Sequence, residues 1–273
     1  IGSYPVYFSG EDSSGTAANR ISTNRDMFLY PLESAILIYD GTTSRWLINK
    51  INNLENAKEI KFISSFGSAS SGDYGEVAFG NFGTGTTTTP ASNSTQFGGI
   101  SLNSNSSSTG GAYIYHGKSI ATYSYFGSAH IYTQMNVIFP TLSDATNTYT
   151  YECIITTSPT SSSVSPNNTV GIRYSSGINS GKFQGYSRSN SGSETVVDLG
   201  VTVAAATIYT LRVEINKARN TARFYINGIA KGLVTGNMPN AGAAGTRNAF
   251  LESAGTAARS AVVQTMISGA IYP

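Results

Sequence analysis

Residues 209–228 read YTLRVEINKARNTARFYING, two alternating runs joined by NKARN and closed by Asn-Gly. Tyr209, Leu211, Val213 and Ile215 share one parity, and Thr210, Arg212 and Glu214 take the other. That is the two-residue period of a strand with one buried face. Ala222, Phe224 and Ile226 repeat the pattern against Arg223 and Tyr225. Pairing the two runs sets Arg212 and Glu214 on the same solvated side as Arg223 and Tyr225, where each cross-strand pair contributes a few tenths to about 1 kcal/mol. Asn227-Gly228 offers the two positive-φ positions of a type I′ turn, so a further strand is expected in GIAKGLV.

The same punctuation runs outward in both directions. Strand-like segments occur at GGISL, AYIYH, SAHIYTQMNVIFP, TYTYECIITT, TVGIRYS, GKFQGYSR, ETVVDLGVTV and SAVVQTMISGAIYP, separated by Ser, Thr, Asn and Gly. Towards the front, SAILIYDG and RWLIN read as a hairpin carrying the single tryptophan, Trp46. Helix-like spacing is confined to NLENAKEIKFI (Asn53 to Ile63), which could equally lead into a strand. The pattern predicts an all-β chain: a small β-hairpin segment over residues 1–61, then a large antiparallel β-sandwich over 62–273. A 60-residue segment buries little surface alone, so packing against copies of itself or against the sandwich is expected.

Composition narrows the function. Charged residues make up 12% of 273, about half the usual share, while Gly (29) and Tyr (17) are abundant. The net charge is +2 with no run of five or six basic residues, which excludes a nucleic-acid footprint. No stretch approaches the roughly 18 consecutive apolar residues of a membrane span, so a soluble chain without membrane insertion is expected. Cys153, the single cysteine, shares parity with Tyr149, Tyr151 and Ile155 and is predicted to be a buried, inert thiol.

Read in order, YTLRVEINKARNTARFYINGIAKG, the NMP loop and the closing strand after GTAAR resemble the concanavalin A-like lectin/glucanase sandwich. This is the jelly-roll, laminin-G-like fold in the form carried by many bacteriophage virion proteins. The resemblance spans roughly Gly67 to Pro273. GTAANRISTNRDMFLYPLESAILIYDGTTSRWLIN looks like the short β-segment of phage tail fibres, where such segments tend to form intertwined, often trimeric, stalks or collars. These resemblances imply a non-enzymatic virion-surface protein, on the tail or capsid exterior. They point first to a tail fibre or receptor-binding protein that recognises host surface glycans as a homo-oligomer, a trimer by preference, alongside other virion proteins. A purely structural capsid spike, decoration or collar protein is the alternative, and a polysaccharide-degrading enzyme the least favoured reading.

The residues carry little catalytic signal. Retaining glycoside hydrolysis needs two carboxyls about 5 Å apart, whereas Glu152 and Glu214 stand isolated and are expected on solvated strand faces. His116 and His130 lack partners at ligand spacing and are expected at the surface or at loop ends. Asp73-Tyr74-Gly75 reads as turn chemistry. No cofactor is implied: DATN (Asp144 to Asn147) and DSSG (Asp12 to Gly15) are too short and acid-poor to argue a structural calcium site. Aromatics are the better lead. Tyr113, Tyr115, Tyr123 and Tyr125 alternate through AYIYHGKSIATYSYFGSAHIY, and tyrosine suits stacking on sugar rings as well as half-buried packing. Tyr186 and Arg188 in FQGYSRSN form a second candidate ligand-binding patch.

Overall fold

A computed structural model describes residues 6–8, 21–22, 27–29, 34–40, 45–51, 59–65, 77–88, 99–103, 110–116, 130–158, 160–190, 192–239 and 245–271. The chain divides into two compact units, Ile1–Lys58 and Glu59–Pro273. In the first, β1 (Val6–Phe8), β2 (Ile21–Ser22), β3 (Met27–Leu29), β4 (Ser34–Asp40) and β5 (Arg45–Ile51) form two small sheets. β1 pairs antiparallel with β3, and β5 lies between antiparallel β4 and parallel β2. The SAILIYDG–RWLIN hairpin is present, with Tyr39 opposite Trp46 and Asp40 opposite Arg45.

The second unit begins at β6 (Glu59–Ser65), so the latter part of the helix-like stretch is a strand; residues 52–58 lie outside the described ones. β7 (Val77–Phe82), β8 (Thr86–Thr88), β9 (Ile100–Asn103), β10 (Gly111–His116) and β11 (His130–Ile138) follow. Next come β12 (Thr148–Thr156), β13 (Thr169–Tyr174), β14 (Lys182–Arg188), β15 (Glu194–Thr202) and β16 (Ile208–Ile215). β17 (Ala222–Ile226), β18 (Ile229–Val234), β19 (Gly245–Ala254) and β20 (Ser260–Ile271) complete the chain. A seven-stranded sheet runs β15-β14-β13-β12-β19-β10-β7, and an eight-stranded sheet runs β18-β17-β16-β11-β20-β9-β8, with β6 also on β20. Their ladders are antiparallel. The predicted sandwich is therefore the observed architecture.

Alternation governs which residues face inward. Tyr209, Leu211, Val213 and Ile215 are buried, as are Ala222, Phe224 and Ile226 on the paired strand. Arg212 lies opposite Tyr225 and Glu214 opposite Arg223, the expected register. Asn227 (φ 52) and Gly228 (φ 77) make the turn to β18, and the Asn227 side-chain oxygen accepts the Thr210 N–H at 2.9 Å.

Between the sheets lies an aromatic core in which the Phe139 ring packs on Tyr151 and Tyr174 at 5.2 and 5.1 Å. The abundant tyrosines fit there because each hydroxyl finds a partner. Tyr149 donates to the Thr141 carbonyl, and Tyr151 to the Asn248 side chain. Cys153 is fully buried, and burial pushes its thiol well above its ordinary value, which suppresses the reactive thiolate.

His116 corrects the sequence reading. It lies on the inner side of β10, only 5% exposed, with Nδ1 2.6 Å from the Ser268 hydroxyl of β20; Ser268 also contacts Thr246. It thereby links the two sheets, while His130 is exposed as expected. The strand pattern of AYIYH already placed His116 on the parity of Ala112 and Ile114, the apolar side.

A Cβ at Gly228 meets no neighbour, so Gly228→Ala strains only the positive-φ backbone and should cost about 1 kcal/mol, read as a lower urea midpoint. Burial holds the His116 imidazole down at about 4 from 6.5, so the folded state resists the proton that the unfolded chain accepts. That contribution is complete above pH 6.5 and is lost as pH falls towards 4, by up to about 3 kcal/mol. Urea unfolding across this window should show His116→Gln losing much less stability than the parent; equal slopes would refute the assignment.

Candidate functional site

The outer face of the seven-stranded sheet, turned away from the core, collects most of the chemistry. Strand register sets Tyr115, Arg247, Ile154, Gly171, Tyr186 and Val196 in one row across it. The next row holds Gly80, Tyr113, Ala249, Glu152, Arg173 and Gln184. Tyr113 and Tyr115 thus do share a face, as their spacing requires. Tyr123 and Tyr125 lie outside the described residues.

At the centre, Glu152 and Arg247 are both fully buried and meet at 2.7 Å. The expectation that Glu152 sits on a solvated face fails because the connection between β12 and β13, described over residues 157–158 and 160–168, folds over it as a strap. Arg247 donates to the carbonyls of Ser161 and Ser163. Glu152 accepts from the Ser165 N–H at 2.7 Å and from the Tyr186 hydroxyl at 2.8 Å. Arg173 donates to the Ser165 hydroxyl, pairs with Glu194 at 3.1 Å, and lies 4.6 Å above the Tyr186 ring. Arg188 donates to the Ser165 carbonyl at 2.6 Å.

Tyr186 is therefore corrected as a ligand-binding candidate: its ring is wholly buried beneath the strap and Arg173. Burial first, and the adjacent Glu152 carboxylate second, raise its hydroxyl well above the ordinary value, so it remains a proton donor. Arg188, at the strap margin, keeps 29% of its side chain exposed. The sequence reading missed Arg247 and the strap. Their only signal was the break in alternation at Arg247-Asn248, two polar residues inside what is β19, an interior strand of the sheet.

Outside the strap, β7 and β10 carry a half-buried aromatic cluster. The rings of Phe82 and Tyr113 stack at 4.7 Å and 25°, and Tyr115 lies 5.8 Å from Tyr113. Tyr113 lies across Gly80: a Cβ there would come within 2.1 Å of its ring. Burial, then the neighbouring Tyr115, raise the Tyr113 hydroxyl, while Arg247 pulls it down. The cluster offers ring edges and faces with two phenolic hydroxyls, beside the backbone of an edge strand.

The opposite, eight-stranded sheet carries a smaller pocket of about 280 Å³, lined by Gln134, Thr210, Arg212, Glu214 and Tyr225. Here Arg212 covers the Tyr132 ring at 4.2 Å and pairs with Glu214, which also accepts the Tyr225 hydroxyl. Elsewhere, Asp144 accepts the N–H groups of Asn147 and Thr146 and pairs with Arg259, contacts that hold its carboxyl at about 2. Among the described residues no three His, Cys, Asp or Glu gather as a metal site requires, and no helix is long and apolar enough to cross a membrane.

No protein-family model and no curated protein matches the chain. Solved structures do. Peanut lectin matches with a TM-score of 0.53 at 13% identity, over 80% of this chain and 99% of its own. The carbohydrate recognition domain of Emp47p matches at 0.51 and 11%, over 78% of this chain and 96% of its own. The fold is the concanavalin A-like jelly roll. An endo-β-1,4-glucuronan lyase from the fungus Trichoderma reesei shares it at 0.50 and 10%, over 76% and 94% of the two chains. The concanavalin A-like jelly roll thus appears in binding proteins and in a polysaccharide-cleaving enzyme, so activity has to be argued from the side chains.

The central ion pair makes a sharp stability prediction. Arg247→Met strands the Glu152 carboxylate and should cost about 3–5 kcal/mol, whereas adding Glu152→Gln should restore much of the loss. Chemical denaturation of the two singles and the double measures the coupling; additive effects would show that the pair does not hold the strap.

Proposed function

We propose that the chain is a non-enzymatic glycan-binding protein whose ligand rests on the Phe82, Tyr113 and Tyr115 cluster. One observation carries this reading: three half-buried aromatic rings gathered on an outer sheet face, with Gly80 leaving Tyr113 free to lie flat. Sugar rings present apolar C–H faces that stack on such rings while their hydroxyls meet phenols and backbone groups. The concanavalin A-like jelly roll, shared with peanut lectin and the Emp47p carbohydrate recognition domain, supports it as scaffold. Glu152, held by Arg247, Ser165 and Tyr186, is not available as a free general acid, which supports binding over cleavage.

The phage-like sequence of the front segment extends the proposal. The protein serves on a virion surface as part of a tail fibre or receptor-binding assembly, a homo-oligomer in which weak single sites gain from multivalency. Three copies presented together need only modest affinity each.

Glycan arrays and host-adsorption assays with the purified oligomer test the proposal. Tyr113→Ala and Tyr115→Ala should each lower binding about tenfold or more at unchanged Tm. Gly80→Val, which displaces Tyr113 without removing it, should do the same. Absence of glycan binding by the parent would overturn the reading, and release of reducing ends from a bound glycan would overturn its non-enzymatic part. Light scattering on the eluting oligomer checks the trimer.

A further inference from the structure

We infer that the strap forms a second ligand site, distinct from the aromatic cluster, which takes a sugar acid: a polyhydroxylated ligand bearing a carboxylate. Two observations meet there. The first is a pocket of about 560 Å³ walled by the strap and Arg188, within the size range of small-ligand sites. Thr157, Ser158, Thr160, Ser163 and Asn167 line it with hydroxyls and an amide, and its wall is predominantly polar. Such a wall is matched to hydroxyl groups and poorly matched to a lipid or an aromatic ligand.

The second observation is an imbalance of charge. Beneath and beside the strap, the connected cluster contains Arg173, Arg188 and Arg247 against Glu152 and Glu194. Among the described residues, three positive charges against two negative leave one positive charge. Both terminal nitrogens of Arg247 are taken up by Glu152 and the strap carbonyls, its buried Nε being unpartnered, and Arg173 is engaged by Glu194, Gln184 and Ser165. Arg188 is the member that reaches the pocket. Its Nη1 binds the Ser165 carbonyl and stands 3.6 Å from Glu194, while its buried Nε has no hydrogen-bond partner.

Gly192 adopts φ +85, and a Cβ there would stand 3.5 Å from Arg188 and 3.8 Å from Asn167, so both side chains border one wall. A carboxylate entering here neutralises the surplus charge and pairs with the guanidinium edge, a charge-assisted contact about twice as strong as a neutral one. The ligand's hydroxyls then meet Asn167 and the strap's threonines and serines. Neither element alone specifies the ligand: the arginine asks for an anion, and the hydroxyl wall asks for a polyol.

The site does not depend on the aromatic cluster, so the two readings fail separately. Amide NMR titration of the full chain with sodium glucuronate is the direct experiment, with glucose as the uncharged counterpart and sodium acetate and sulfate as simple anions. Glucuronate should shift Ser163, Ser165 and Gly192 saturably, at millimolar concentration or below, and at least about tenfold more tightly than the other three probes. Arg188→Gln should abolish these shifts, and so should Asn167→Asp, an exposed change that sets a like charge in the mouth if Arg188→Gln folds poorly. Tyr113→Ala should leave them unchanged. Equal binding of glucose would overturn the charge argument, and equal binding of acetate or sulfate would overturn the sugar. Unshifted strap amides in glucuronate would overturn the site as a whole.

Discussion

A carboxylate and a guanidinium, both withdrawn from water, sit at the centre of a sheet face that would otherwise be wet. Withdrawing such ions costs several kcal/mol each, and attraction between them offsets that cost only when their remaining donors and acceptors are also matched. Glu152 and Arg247 meet most of that demand with material from the β12–β13 connection, a backbone N–H for the acid and two backbone carbonyls for the base, while the Arg247 Nε is left without a partner. The connection is consequently fixed across the sheet. It divides the outer face into an aromatic side at β7 and β10 and a polar hollow beside Arg188, so one ion pair determines where each kind of ligand could rest.

The two sheets use one device to different ends. Tyr113 lies across Gly80 and Tyr132 across Gly269, each tyrosine filling the space that its glycine partner leaves on the neighbouring strand. On β11, in the interior of its sheet, Arg212 closes over the ring and leaves Tyr132 buried. On β10, next to the edge strand, no cation among the described residues covers Tyr113, and its ring partners among them are Phe82 and Tyr115. Position in the sheet, more than residue type, decides whether a tyrosine is packing or platform.

Strands with one wet face were legible because their side chains alternate: β16, β17 and the Asn-Gly turn into β18 could be written down from Tyr209 to Gly228. Cys153 was legible for the same reason. The alternation rule equates polar with outward and outward with exposed, and β19 breaks that equation. Arg247 and Asn248 are adjacent and face opposite ways, yet both are buried, so this interior strand carries no readable period. Tyr186 and Glu152 were misplaced by the same assumption. They do point outward, but a loop covers them. No pattern in TSPTSSSVSPNN announces this, because the groups that hold Arg247 are peptide carbonyls, which every residue possesses.

A latch made from main-chain atoms is indifferent to the spelling of its own loop, since replacing Ser161 or Ser163 leaves the carbonyls in place. It is sensitive to the number of letters, because one residue added or removed shifts those carbonyls off Arg247. Apart from Ser165, whose hydroxyl is held by Arg173 and Glu152, the strap's side chains are thus free to drift while its length is held by the ion pair underneath, an arrangement in which the walls of the hollow can diversify on an unchanging frame.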